Sequence, residues 1–266
     1  MAEDSWTVIG RGKGRGKGRA NPQTSAQRDN PPLRNHGVRE IADDMQKKTR
    51  AWQHSSCRHE LRRIMDKKRP DEGWQIERAV CLAVGSFSRD NWQSRQRSLM
   101  QFLAFMDIVK HLQQDGEGQI QCFAQEPQFT ESDQTYLASI GIQVIEHPSA
   151  ANPKALGPIH EHLGPSTFIF EPFMDFDFNG MQSLFSTDPK FYIGSSAKRW
   201  IELSKNHVQP ERQTAESKAA DLPASAVEKA LDFGRTRASC HFPVFEEEPL
   251  IFEGLDIFWK QPEGDD

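Results

Sequence analysis

The sequence predicts an α/β protein with a three-layer fold, a mainly parallel sheet, and a basic N-terminal arm set apart from the body. Three observations predict it. Short unbroken apolar runs, such as Ala79–Val84 and Thr167–Phe170, read as strands buried on both faces. Stretches with apolar residues at helical spacing separate them, and that alternation builds parallel sheets with helices on either side. Charge is also segregated. Residues 1–70 carry 17 Lys and Arg against 8 Asp and Glu, while the whole chain of 266 residues has 33 against 38. A basic arm therefore precedes an acidic body.

Arg11, Lys13, Arg15, Lys17 and Arg19 alternate with glycines. Glycine has the highest ordering cost and the cations repel, so this arm is expected to be disordered. It serves as a solvated tail or localisation patch, or as an electrostatic contact for nucleic-acid phosphates. From Val38, the residues Ile41, Met45, Trp52, Leu61, Ile64 and Met65 recur at helical spacing among lysines and arginines. They predict an amphipathic helix or helix pair ending near Pro70.

In the body, Ala79–Val84 gives the first strand, stopped by Gly85-Ser86, and 96–112 gives a helix. A second strand follows at Ile120–Phe123. Thr130, with Asp133 three residues on, caps a helix through Leu137 in a variant of the capping box. Gly141 ends that helix. Further strands are expected at Ile142–Ile145, Thr167–Phe170 and Phe191–Ile193, with a helix over Met181–Phe185. Residues 147–165 read as loop or weak helix. The stretch 206–239 reads as a polar linker with one helix near Ala224–Leu231. The apolar tail of Leu250–Phe252 and Leu255–Trp259 is expected to add a last strand at the sheet edge, with an antiparallel direction open to it.

Composition narrows the function classes. Hydrophobic residues make up 36% of the chain, so part of it is not packed. No run approaches the roughly 20 apolar residues of a membrane helix. No secretory leader is evident, and the four cysteines include no C-x-x-C pair, which fits free thiols in a reducing compartment. A soluble intracellular protein is expected.

In an open parallel sheet, ligands bind beyond the carboxyl ends of the strands. Four strand ends offer candidates: Gly85, Ser86 and Ser88; Glu126 and Pro127; Glu171; and Gly194 with Ser195. Glycine permits close backbone approach, and hydroxyls or N–H groups can hold an anion. Neither G-x-G-x-x-G nor a P-loop motif occurs. His160-Glu161-His162 and Cys57-x-His59 lack the further ligands that a metal site needs, so no metal is assigned. Asp175 and Asp177 read as an exposed turn. No catalytic constellation and no particular cofactor emerge.

The order of these loops resembles the SRR-like family, named from "sensitivity to red light reduced", in its fungal-type form. The stretches that carry the resemblance are 81–88, 125–130, 167–172 and 193–196, with Trp52 and Ser55-Ser56-Cys57 before them. It spans about residues 40–205, with weaker similarity at Phe252–Trp259. Ala83 stands where the family shows the first glycine of G-x-G-S. Glu126-Pro127 stands for its Asp-Pro, Phe173-Met174 for its His-Cys, and Ser195 for the Asn of its Gly-Asn-Ser.

The resemblance implies a Rossmann-like domain in a regulatory protein of the cytoplasm and nucleus. It also implies links to light and circadian signalling, heme-synthesis control and microtubule-related stability, exercised through protein partners. A small-ligand or nucleotide sensor or enzyme on the loop rim is the alternative, and nucleic-acid association through the arm is another. The expected organisation is an arm over 1–35, the SRR-like domain over 36–205, a linker over 206–239, and a closing strand with acidic tail over 240–266.

Overall fold

The computed structural model describes residues 30–115, 118–147, 156–174, 178–208 and 223–261. The five cations of the arm, together with Asp175 and Asp177, lie outside the described residues. The body runs from Pro32 onward. It opens with helices α1 (Val38–His54) and α2 (Ser56–Lys68), then alternates strand and helix. In chain order come β1 (Arg78–Leu82), α3 (Trp92–Leu112), β2 (Gln121–Gln125), α4 (Glu131–Ser139) and β3 (Ile142–Val144). These are followed by β4 (Thr167–Glu171), α5 (Phe178–Ser186), β5 (Phe191–Gly194) and α6 (Ser196–Val208). Helix α7 (Ala224–Arg235), β6 (Arg237–His241) and β7 (Asp256–Lys260) close it.

The strands form one seven-stranded sheet of order β3-β2-β1-β4-β5-β7-β6. The first five run parallel, and β7 alone is reversed against both neighbours. Strand period decides which side each residue serves. Ala79, Cys81, Phe168, Phe170, Phe191, Ile193, Ile257 and Trp259 face a core shared with α1, α2, α3 and α4. The alternate residues Val80, Leu82, Ile169, Tyr192 and Phe258 face α5, α6, α7 and the 3₁₀ turn at Gly157–His162. Two covered faces are why β1 and β4 read as unbroken apolar runs.

Local chemistry sets the helix ends. The Ser55 hydroxyl donates to the Trp52 carbonyl (2.8 Å) and accepts from the Arg58 N–H (3.1 Å). One residue thus stops α1 and caps α2, resolving the amphipathic stretch into a pair. The expected capping box at α4 is present: the Asp133 N–H donates to Thr130 Oγ1 (3.2 Å), and the Thr130 N–H donates to Asp133 Oδ2 (2.9 Å).

The carboxyl-terminal third departs from the sequence reading. The strand at 256–260 is not at the edge; it sits between β5 and β6. The edge strand, β6, falls largely in the stretch read as linker. Its sequence, RASCH, is short and polar: Ala238 and Cys240 pack against one core, while on the other face Arg237 is buried over Phe233 and Ser239 and His241 are exposed. Helix α6 was also not anticipated and runs across the expected boundary at 205. Helix α3 begins at Trp92, capped by the Asn91 side chain, rather than at Gln96.

Asp107 on α3 ties α2 to the sheet-facing helix. It accepts from Arg58 Nε (2.9 Å) and from an Arg62 terminal nitrogen (2.7 Å). Burial pushes its carboxyl up, but the Arg62 and Arg58 bonds outweigh this and hold the pKa below the ordinary 3.8. A lowered folded-state value stabilises the fold above the unfolded pKa, and that contribution is lost as pH falls through the folded one. The urea stability gap between wild type and Asp107→Asn is therefore expected to be flat near neutrality and to shrink only below about pH 4. A gap that closes near neutral pH instead would contradict this assignment.

Candidate functional site

Because β3-β2-β1-β4-β5 is parallel, the carboxyl ends of these strands share one edge of the sheet. Chain direction across the sheet switches between β1 and β4, and a crevice is expected there. A cavity of about 440 Å³ occupies this edge. Its floor is the loop 83–85 after β1 and the turn 125–128 after β2. Its lid is one stripe of α3, and Phe173 and Met174 after β4 flank it, with His147 after β3.

The loop after β1 needs an unusual backbone. Ala83 and Gly85 both have positive φ, +51° and +80°. The Ala83 N–H still donates to the Gln125 carbonyl (3.0 Å), so the β1–β2 pairing continues into the turn. A Cβ at Gly85 would come within 3 Å of Ser98 on α3, so only glycine lets the loop pass under the helix. The Gly85 N–H then donates to Glu126 Oε2 (2.9 Å), and the Gln128 N–H donates to Oε1 (2.8 Å). Burial raises the Glu126 pKa above the ordinary 4.5, opposed by those two N–H bonds. The result is a half-buried carboxylate, fixed at both oxygens, on the cavity floor.

Of the residues expected at the rim, Gly85, Glu126 and Pro127 line this cavity. Ser86 and Ser88 do not. The Ser86 hydroxyl donates to Asp133 Oδ2 (2.5 Å), the Phe87 N–H donates to Oδ1 (3.2 Å), and Ser88 Oγ meets Thr130 Oγ1 (2.6 Å). These hydroxyls lock the loop to the start of α4 beneath the site. Glu171, Gly194 and Ser195 form a separate cluster at the ends of β4 and β5. Glu171 is fully buried, accepting from the Met174 N–H (3.1 Å) and from the Tyr192 hydroxyl. A Cβ at Gly194 would collide with both Glu171 and Tyr192. The Ser195 N–H donates to the Glu171 carbonyl (3.3 Å). The four loops share the rim, then, but two of them build the cavity floor and a third reaches it through Phe173 and Met174.

Sequence reasoning missed the α3 stripe: Ser94, Arg97, Ser98 and Gln101 stand at i, i+3, i+4 and i+7 and all line the cavity. The row carries little sequence signal, since residues 93–98 of α3 are all polar and only Gln101 stands out among apolar neighbours. Arg97 lies over the Phe173 ring, 4.8 Å from its centroid. Gln101 and Gln125 are almost fully buried, and each Oε1 lacks a hydrogen-bond donor among the described residues. His162 of the His-Glu-His stretch stacks on Phe123 (4.0 Å) in the other face's core, while His160 and Glu161 are exposed. Cys57 is buried with its thiol directed to the Pro243 carbonyl, and burial pushes its pKa up to about 12.

Two predictions follow from this scaffold. Asp133→Ala strands three donors at once, the buried Ser86 Oγ and Phe87 N–H and the part-buried Thr130 N–H, and should cost about 3 kcal/mol in chemical denaturation. A loss under about 1 kcal/mol would mean the loop holds itself. Ala83→Gly relieves a left-handed alanine and should raise stability by about 0.5–1 kcal/mol after the entropy cost of glycine. A lower urea midpoint would show that the Ala83 methyl packs to more effect than its backbone strains.

The family model for the SRR1 domain matches residues 45–248. No curated protein matches the chain. The matched stretch includes α6, α7 and β6. It also includes the cavity-forming loops, the α3 stripe and the Asp133 lock, so the site described above lies within the family's own domain. The chain belongs to the SRR1 domain family.

Proposed function

We propose that this protein is a regulatory ligand-binding protein whose Rossmann-like domain takes a ribonucleoside in the crevice at the carboxyl ends of β1, β2 and β4. The observation that carries this reading is Glu126, a carboxylate at the end of β2 oriented by the Gly85 and Gln128 N–H groups. Strand order β3-β2-β1-β4-β5 is the order of the dinucleotide-binding fold, in which an acidic residue beyond the second strand accepts from ribose hydroxyls. Each Glu126 oxygen receives one backbone N–H and keeps a lone pair for a further donor. A vicinal diol supplies two such donors. The glycine-rich phosphate loop of that fold is missing, and nine residues separate the end of β1 from the start of α3 at Trp92. The site therefore favours a nucleoside over a pyrophosphate.

Family resemblance supports a regulatory role in cytoplasm and nucleus, in signalling or heme-synthesis control, with ligand occupancy read out by protein partners. No helix among the described residues is long and apolar enough to cross a membrane.

The test is calorimetric titration of the full chain with adenosine and its 2′,3′-dideoxy counterpart. Hydrogen bonds to a charged group are worth about 1.5–3 kcal/mol, so the dideoxy compound should bind at least ~10-fold more weakly. Affinity should also fall on acidification, beginning above pH 4.5, because burial raises the Glu126 pKa and protonation removes an acceptor. Equal affinity for both compounds, or binding of neither, would overturn the reading.

A further inference from the structure

We propose that the crevice ligand is a ribonucleoside whose 5′ substituent ends in an α-amino acid zwitterion, the chemistry of S-adenosylmethionine and S-adenosylhomocysteine. Arg97 and Gln101 bind that end. The inference rests on the ribonucleoside reading of the crevice and adds the identity of the tail.

Sheet order lays out the site as a line. Passing from β3 through β2 and β1 to β4, the rim presents His147, then Gln125 and Glu126, then Gly85, then Phe173 and Met174. A nucleoside whose ribose sits on Glu126 has its base toward β3 and its 5′ end toward β1 and β4. Above that 5′ end runs the α3 stripe, where Arg97 and Gln101 stand one turn apart on the same face.

The two side chains ask for different partners. Arg97 brings a guanidinium to the cavity beside Phe173, a donor fork matched to a carboxylate. Gln101 is 1% exposed, and its Nε2 is committed to the Ile251 carbonyl (2.7 Å). That bond fixes the amide's orientation and leaves Oε1 as an acceptor with no donor among the described residues. Of the eight buried side-chain atoms without a hydrogen-bond partner among the described residues, the Oε1 atoms of Gln101 and Gln125 are the two on residues that line this cavity.

A phosphate tail carries acceptors alone. It suits Arg97 but sets oxygen against the Gln101 oxygen. An aliphatic or bare tail leaves both unmet. An α-amino acid presents a carboxylate and an ammonium on one carbon, the pair of groups that the stripe lacks. Gln125 repeats the pattern at the nucleoside end. Its Nε2 bonds the Glu146 carbonyl (3.0 Å) and its Oε1 has no donor, beside the Glu126 carboxylate. A hydroxyl or exocyclic amine of the nucleoside supplies one.

The experiment is calorimetric titration of the full chain with S-adenosylhomocysteine, 5′-methylthioadenosine and ADP. The first two share nucleoside and thioether and differ in the amino acid. S-adenosylhomocysteine is expected to bind at least about 10-fold more tightly than 5′-methylthioadenosine. Arg97→Met should bring that ratio close to one, and Arg97→Lys, which keeps the charge, should preserve part of it. Equal binding of the two thioethers, or tighter binding of ADP than of S-adenosylhomocysteine, overturns the zwitterion while leaving the ribonucleoside site standing. Binding of none of the three overturns both.

Discussion

The buried carboxylate of Asp133 is the interaction on which the site depends. It is fully enclosed, and a charge there is tolerable only because several donors converge on it. Ser86 and Phe87 reach it from the loop after β1, and Thr130 reaches it from the start of α4. The carboxylate thus caps its own helix and anchors the loop with the same two oxygens. With the loop fixed, the Gly85 N–H has one direction to point, toward Glu126. The scaffold that orients the cavity floor is polar and lies underneath it. The hydroxyls of Ser86 and Ser88, which look like ligand-binding groups in sequence, are spent on that scaffold.

Glu126 and Glu171 show how the same dipeptide takes different work from its surroundings. Both are Glu-Pro at the end of a parallel strand. Glu126 receives two backbone N–H bonds and stays at the cavity surface, where each oxygen can take another donor. Glu171 turns inward, where the Tyr192 hydroxyl and the Met174 N–H reach it and Gly194 passes too close to admit a side chain. The first carboxylate is available to a ligand. The second braces β4 against β5 and sets the backbone course from which Phe173 enters the cavity wall. What separates them is register: Glu171 is the last residue of β4, level with Leu82 and Gln125, whereas Glu126 lies one residue past the end of β2 and so faces the other way.

Legibility in the sequence followed burial. Strands β1 and β4 are enclosed on both faces, so their composition alone announces them, and the loops at their ends could be placed without coordinates. Edge and reversed elements could not. Strand β6 is polar and half exposed and reads as linker, and the apolar β7 carries no mark of the slot between β5 and β6 that it fills. The site divides the same way. Gly85 and Glu126 are legible because strand ends in a parallel sheet are privileged positions. Arg97 and Gln101 are not, since their nearness to Glu126 depends on how α3 crosses the rim. The fate of Ser86 was hidden for a related reason: its partner, Asp133, is 47 residues away.

The departures from the family pattern gain physical meaning from their places in the fold. At Ala83 the backbone keeps the left-handed turn that a glycine would adopt without strain, so the loop shape survives the substitution at a cost in stability. At Met174, where the resemblance expects a cysteine, the Glu171 cluster draws on the backbone N–H, a group any residue but proline supplies. Neither change alters the scaffold. Phe173 is different. Its side chain, half exposed, lines the cavity and carries the Arg97 guanidinium on its ring, at a position where the resemblance expects a histidine. A histidine there would compete for hydrogen bonds and, when protonated, repel Arg97. Phenylalanine provides a neutral face that holds the guanidinium in place without consuming its N–H groups. The substitution therefore puts a neutral ring under Arg97 in the cavity wall, while the floor and its glutamate remain as the fold dictates.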